Sequence, residues 1–293
     1  MTVHSTVDLP SGRVCYVDLH PDGTAVDTVV LLHGGGVDSA SLSWGEVAPQ
    51  LATAGYRVIT PDHPGFGDSP LPSWPLTQRA LVAYVGEFVD ALGLDRYAVG
   101  GLSLGGGMAI GHVLERPRQV SAVLLLASYG IMPRLSDGPL AGAQQAAIWA
   151  MLHTGVLGAF TRRIGWTRAA LTWSVKHLIH DPAQRTPALL TAIETAVAQQ
   201  GFDAFEQWQR DEVGWRRLRT DYTAQLESLA RPVLIVHGDQ DRNVPVARAR
   251  LAADLIPDAE LKIIDGAGHW VQRDQPEVVI AAMLDFLRRR AAG

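Results

Sequence analysis

The sequence predicts an α/β fold, a mostly parallel sheet covered by helices and interrupted by one purely helical insertion. Three observations predict it. Short runs such as residues 29–33 (VVLLH) and 232–237 (PVLIVH) are apolar at consecutive positions, as in strands covered on both faces. These runs alternate with longer helical stretches over most of the chain. The alternation then stops from about residue 132 to residue 229, where helical segments follow one another with no strand-like run.

Taken in order, residues 2–8 and 13–19 read as two opening strands joined near Pro10, Ser11 and Gly12. Residues 29–33 form a buried central strand. Residues 42–54 read as one helix ending at Gly55, and 56–61 as the next strand. A glycine- and proline-rich loop, 62–75, leads to a helix over 77–92 with Gly93 as its C-cap. A strand over 97–102 runs into a helix over 104–115, and 120–127 is a further buried strand. Inside the insertion, helices are expected over 141–154, 167–179, 187–200 and 202–210. The α/β pattern resumes with a strand at 232–237, a helix at 246–255, a strand at 261–264 and a last helix over 276–290. Residues 1–131 and 230–293 are therefore expected to form one core domain, and 132–229 a helical lid. Five of the eight tryptophans (Trp149, Trp166, Trp173, Trp208 and Trp215) fall in the insertion, as a small helical core or an apolar pocket wall would require.

Composition narrows the function classes. The 293 residues are 47% hydrophobic and 19% charged, enough apolar content to build a core without disulfides or structural metals. A net charge of −5 and a pI near 6.0 leave no electrostatic footprint for nucleic acid or an anionic membrane. The basic run at residues 288–290 ends a helix, where it suits the helix dipole. Cys15 is the only cysteine, so no intrachain disulfide can form, and its alternating apolar surroundings read as a packed strand. Residues 1–10 show neither a basic start nor an apolar core, and the longest apolar stretch, 123–127, is too short to span a bilayer. A cytoplasmic protein is the expectation.

Gly101-Leu102-Ser103-Leu104-Gly105 reads Gly-x-Ser-x-Gly between an apolar strand and a helix. A serine on so sharp a turn has a strained backbone and close neighbours, so small residues must flank it. The turn lifts the hydroxyl clear of the sheet, at a helix N-terminus that favours developing negative charge. Serine is nearly inert at neutral pH and needs a base, which in turn needs an acid to orient it. Of ten histidines, His269 has the best setting, in the glycine-flanked loop Asp265-Gly266-Ala267-Gly268-His269-Trp270 after a late strand. His33 and His237 end strands and read as structural. His177 and His180 lack a third strong ligand beyond Asp181, so no metal is expected. The acid comes from His237-Gly238-Asp239-Gln240-Asp241, with Asp241 preferred at the loop tip and Asp239 its competitor. An oxyanion needs two backbone N–H donors. Leu104 supplies one, and the glycine loop Leu32-His33-Gly34-Gly35-Gly36 the other, with Gly35 first and Gly36 second.

Together these motifs resemble the α/β-hydrolase superfamily along essentially the whole chain. The loop Pro61-Asp62-His63-Pro64-Gly65-Phe66-Gly67-Asp68-Ser69 is similar to that of many lid-bearing members. The resemblance implies an eight-stranded, mostly parallel sheet with an inserted lid, a Ser103–His269–Asp241 triad, no cofactor, and a small-molecule substrate. A homodimer is the one assembly expected. Gly36, Trp149, Trp173 and Trp270 are expected to touch substrate.

The segments His33-Gly34-Gly35-Gly36 and Gly268-His269-Trp270 also resemble hydrolases that cleave carbon–carbon bonds in meta-cleavage products of aromatic degradation. This chain departs from them at Leu102, where they typically carry Asn, and at Val37-Asp38-Ser39-Ala40, where they typically run Pro-Gly toward an Asn. Those losses favour a carboxylic ester hydrolase, with the carbon–carbon hydrolase second. Some members of the fold act as ligand receptors, and an intact triad with a complete oxyanion loop argues against that role.

Overall fold

The computed structural model describes residues 2–164 and 167–291, apart from the side chains at 2, 3, 160–162, 164, 200 and 291. Eight strands form a single sheet in the order β1-β2-β4-β3-β5-β6-β7-β8. They are β1 Thr2–Leu9, β2 Gly12–Leu19, β3 Thr28–Leu32, β4 Arg57–Pro61, β5 Tyr97–Leu102, β6 Val120–Leu126, β7 Val233–Gly238 and β8 Ala259–Ile264. β2 is antiparallel to both of its neighbours, and every other pairing is parallel. Six strands therefore present their C-terminal ends along one edge, where loops can converge on a ligand.

The helices pack on both faces, as parallel strands require. Val29 and Leu31 of β3 face a core shared with α1 Ala40–Trp44, α2 Val47–Thr53 and α12 Pro276–Ala291. Val30 and Leu32 face the opposite core with α3 Gln78–Ala91, α4 Leu104–Glu115 and α10 Val246–Leu255. All four β3 side chains are fully buried, each worth about 1.5–3 kcal/mol.

The expected helix over 42–54 is two helices. Gly45 and Pro49 explain the break: proline in a continuous helix would clash with the carbonyl four residues back, that of Gly45. Restarting at Val47 puts Pro49 in the first turn, where a missing N–H costs nothing. α3 begins where expected, its Thr77 hydroxyl accepting from Ala80 N.

Between β6 and β7 the described residues hold five α-helices, not the four expected: α5 Ala141–His153, α6 Val156–Ile164, α7 Arg168–Leu178, α8 Pro187–Gln200 and α9 Asp203–Glu212. α6 follows directly on Gly155, whose φ of +75° turns the chain between helices. Its shortness and its internal Gly158 hid it in the sequence. A short helix, α11 Val271–Asp274, follows β8. No helix among the described residues is long and apolar enough to cross a membrane.

Candidate active site

Ser103 links β5 to α4 with φ +50° and ψ −115°, one of two non-glycine residues with positive φ among those described. The packing explains why glycines flank it. A Cβ at Gly101 would overlap the Gly105 backbone, and one at Gly105 would overlap the carbonyls of Leu32 and His33. A left-handed serine costs on the order of 1–3 kcal/mol, so its surroundings must enforce it. Ser103 N donates to Leu126 O at 2.9 Å, and Ser103 O accepts from Tyr129 N at 2.9 Å and from Gly107 N at 3.1 Å. The turn is thus pinned to the end of β6. Leu104 opens α4, where first-turn amides have no partner inside the helix and point toward the serine side.

Asp241 and His269 meet across the ends of β7 and β8. His269 Nδ1 donates to Asp241 Oδ2 at 2.8 Å, and both side chains are almost fully buried. Asp241 Oδ1 accepts from Asn243 N and Val244 N. Burial alone would raise the Asp241 pKa, but His269 and His237 together hold it well below the usual carboxylate range. Asp239 faces elsewhere: its Oδ1 accepts from Gly266 N at 2.7 Å, bracing the far end of the same loop.

His237 has more to do than end a strand. Its Nε2 lies 3.2 Å from Asp241 Oδ2 and 2.9 Å from Val244 O, so one N–H is shared between carboxylate and carbonyl. The sequence reading saw a structural histidine but not its partner, because the contact depends on how residues 238–244 curl back.

The glycine loop after β3 is held from below. Asp38 is fully buried and accepts from Gly34 N at 2.7 Å, Ser39 N at 2.8 Å and the Ser43 hydroxyl at 2.7 Å. Burial pushes its pKa up to about 6, against the pull of those donors. His33 stacks on His63 with ring centroids 3.8 Å apart and accepts from His63 N through Nε2. Burial lowers the pKa of both rings, that of His63 to about 4, so they support the loop as neutral groups. Gly36 has φ +81°, which a larger residue would resist.

α9 lies directly over this loop. The Phe205 ring covers Gly35 so closely that an added Cβ would sit 2.8 Å from Phe205 Cδ2. Phe205 stacks on Trp208, which packs edge-on against Tyr129 and donates to Gln78 Oε1. Glu212, at the end of α9, accepts from the Tyr129 hydroxyl at 2.7 Å and from Thr220. Sequence reasoning missed Phe205, since nothing local marks which helical aromatic will meet a distant glycine.

The expected tryptophan contacts divide. Trp149 is half-buried, edge-on to Trp215 and stacked on His153. Trp173 is 63% exposed and leans on His177, so its assignment to a pocket wall is withdrawn. Trp270 is buried in the core cluster shared with α2 and α12, where packing accounts for its ring. Trp166 lies outside the described residues. Among the described residues no group of three or more His, Cys, Asp and Glu is placed to hold a metal ion.

Residues 27–276 match the family model described as the alpha/beta hydrolase fold. The chain is 30% identical over 270 residues to the 2-hydroxy-6-oxo-6-(2'-aminophenyl)hexa-2,4-dienoic acid hydrolase of Metapseudomonas resinovorans, covering 90% of this chain and 84% of that one. It is 27% identical over 274 residues to the 2-hydroxy-6-oxo-2,4-heptadienoate hydrolase of Pseudomonas putida, with 92% of each chain covered. A crystal structure of a serine hydrolase involved in carbazole degradation superposes with a TM-score of 0.80 at 26% identity, over 99% of this chain and 100% of that one.

Proposed function

Because the chain belongs to the α/β-hydrolase fold family, we propose that this enzyme uses Ser103 as nucleophile, His269 as base and Asp241 as the acid that orients the base. The strained Ser103 backbone carries this reading. An unfavourable conformation enforced by hydrogen bonds to the end of β6 makes sense where a hydroxyl must be presented to a carbonyl. Ser103 Oγ adds to the carbonyl carbon while His269 Nε2 takes its proton. The Asp241 carboxylate stabilises the imidazolium that results. The oxyanion accepts from Gly35 N and Leu104 N, and its collapse expels the leaving group, to which His269 returns the proton; a water deprotonated by His269 then hydrolyses the acyl-enzyme and restores the Ser103 hydroxyl. The helical insertion serves as the lid over this site, with Phe205 as a wall of the substrate pocket.

For the bond cleaved, we put the carbon–carbon bond of 2-hydroxy-6-oxo-dienoates first. The names of the relatives that align over nearly the full chain support it. In such a substrate the leaving group is a carbanion, so the 2-hydroxydiene must first ketonise, its enol proton moving to C5; the conjugated 2-oxo acid then delocalises the electron pair released when the C5–C6 bond breaks. The carboxylic ester reading favoured by the sequence stands second, on two observations. Leu102, beside the nucleophile, is apolar and fully buried. The arginines considered as carboxylate anchors are engaged elsewhere: Arg210 with Glu206, and Arg185 with His180 O. Arg163 is exposed, and the Arg162 side chain lies outside the described residues.

The deciding experiment measures kcat/KM on a short p-nitrophenyl ester and on a 2-hydroxy-6-oxo-dienoate, followed by loss of the dienolate absorbance. The dienoate should be preferred by at least about tenfold, roughly 1.4 kcal/mol of transition-state binding. A preference of that size for the ester puts the second reading first. Ser103→Ala should lower kcat by roughly 10⁴-fold on either substrate, and near-normal turnover by the folded variant would remove the proposed nucleophile.

A further inference from the structure

Asp274 stands at the end of α11, five positions after His269, with 1% of its surface exposed. Its carboxylate accepts three backbone N–H groups from two separate parts of the chain. Oδ2 accepts from Gly268 N at 2.5 Å, the residue before His269, and from His180 N at 2.7 Å. Oδ1 accepts from Asp181 N at 2.7 Å. His180 and Asp181 belong to the segment that leaves α7, inside the helical insertion. A fourth bond runs alongside, from Trp270 N to Leu178 O at 2.8 Å. The fit leaves no slack: a Cβ on Gly268 would lie 2.7 Å from Leu178 O.

Buried carboxylates need donors, and backbone amides are the stiffest available because they cannot change rotamer. Burying this charge merely to stabilise the loop would be a poor solution, since a buried charge often stabilises no more than a well-packed apolar group. What three converging amides do provide is tight registration between two segments that the Trp270–Leu178 bond alone would hold less firmly. One bears the imidazole, and the other is the exit from α7.

We propose that Asp274 is a positioning residue that couples the helical insertion to the loop carrying His269, so that a displacement of residues 178–181 moves the imidazole. The proposal rests on the reading of His269 as the base. It makes the insertion part of the catalytic geometry as well as a cover: the base is fully aligned only when the α7 exit is seated.

The test uses the full-length protein with Asp274→Ala and Asp274→Asn, the latter keeping size and one acceptor oxygen should the alanine variant fold poorly. Hydrogen exchange read by mass spectrometry should rise together in residues 176–184 and 265–270, and not in β5 or α4. Labelling of Ser103 by a fluorophosphonate should slow by about 10- to 100-fold, the scale for an ångström-level misplacement of a reacting group. On the short ester, kcat should fall with KM changed less than about threefold, and Asp274→Asn should lie between alanine and wild type. The coupling itself is read with Arg185→Ala, which removes the 2.6 Å bond from the guanidinium to His180 O. That change should slow labelling in the wild-type background and add nothing in Asp274→Ala. Additive effects, or wild-type exchange in residues 265–270 of the alanine variant, overturn the proposal. Failure of the underlying reading looks different: His269→Ala would then label Ser103 at the normal rate, while the exchange pattern would be untouched.

Discussion

Substituting Gly35 by alanine tests whether α9 shapes the glycine loop proposed to bind the oxyanion. An ideal Cβ at Gly35 lies 2.8 Å from Phe205 Cδ2 and 3.3 Å from Phe205 Cζ, and closer still to Cε2. Carbon atoms prefer about 3.5–4.0 Å, so ring and loop must separate by roughly an ångström. The ring cannot yield freely, because it stacks on Trp208 at 5.5 Å and Trp208 is tied to Gln78. Overpacking of this kind costs about 1–3 kcal/mol. If the loop gives way instead, the Gly35 amide leaves its place, and losing one oxyanion donor costs roughly 10²–10³ in kcat. Phe205→Ala opens the space the new methyl needs. Gly35→Ala alone should therefore lose at least about tenfold in kcat/KM, and the double variant Gly35→Ala/Phe205→Ala should exceed the product of the single effects by about tenfold or more. Steady-state kinetics on a short p-nitrophenyl ester, with urea melts of all four proteins, measures both terms. Strictly additive effects, or a Gly35→Ala enzyme within threefold of wild type, would refute the reasoning.

Two further outcomes are expected. Asp241→Asn should lower kcat by roughly 10³–10⁴-fold by presenting the wrong partner to the imidazole, whereas Asp239→Asn should stay within about tenfold, because Asp239 braces Gly266; the reverse order in steady-state assays would move the acid to Asp239. Asp38 should make stability fall as pH rises from about 4 to about 6: its folded pKa of about 6 exceeds its ordinary 3.8, so across that window the unfolded chain releases a proton that the folded chain keeps, worth at most about 3 kcal/mol. Asp62 and Glu212, also pushed up by burial, act in the same direction; the buried His33, His63 and His112, pushed down, act oppositely over the same window, and the depressed Asp241 acts oppositely only below about pH 4. In urea melts across pH, the stability of wild type relative to Asp38→Asn should therefore fall by up to about 3 kcal/mol between pH 4 and 6, and parallel curves would remove Asp38 as the source.

The strands, the serine turn and the order of the candidate residues were legible in the sequence for a local reason. Runs such as VVLLH and PVLIVH can be satisfied only by burial on both faces, and Gly-x-Ser-x-Gly is a short pattern whose glycines answer to close backbone contacts, Gly101 with Gly105 and Gly105 with the end of β3. Gly45 and Pro49 carried the signal for the break between α1 and α2, though a helical reading of the apolar pattern passed over it. What the sequence could not decide were meetings that no local pattern marks, most of them between distant segments. His237 against Asp241, Phe205 over Gly35 and Asp274 between Gly268 and His180 each depend on how loops curl and how the insertion sits on the sheet edge. Trp173 makes the converse point: a tryptophan within the insertion looked like a pocket wall, and the rotation of α7 turns it to solvent. Local chemistry determined which residues could react; only tertiary packing decided which groups hold them in place, because those contacts have no period and no fixed spacing along the chain.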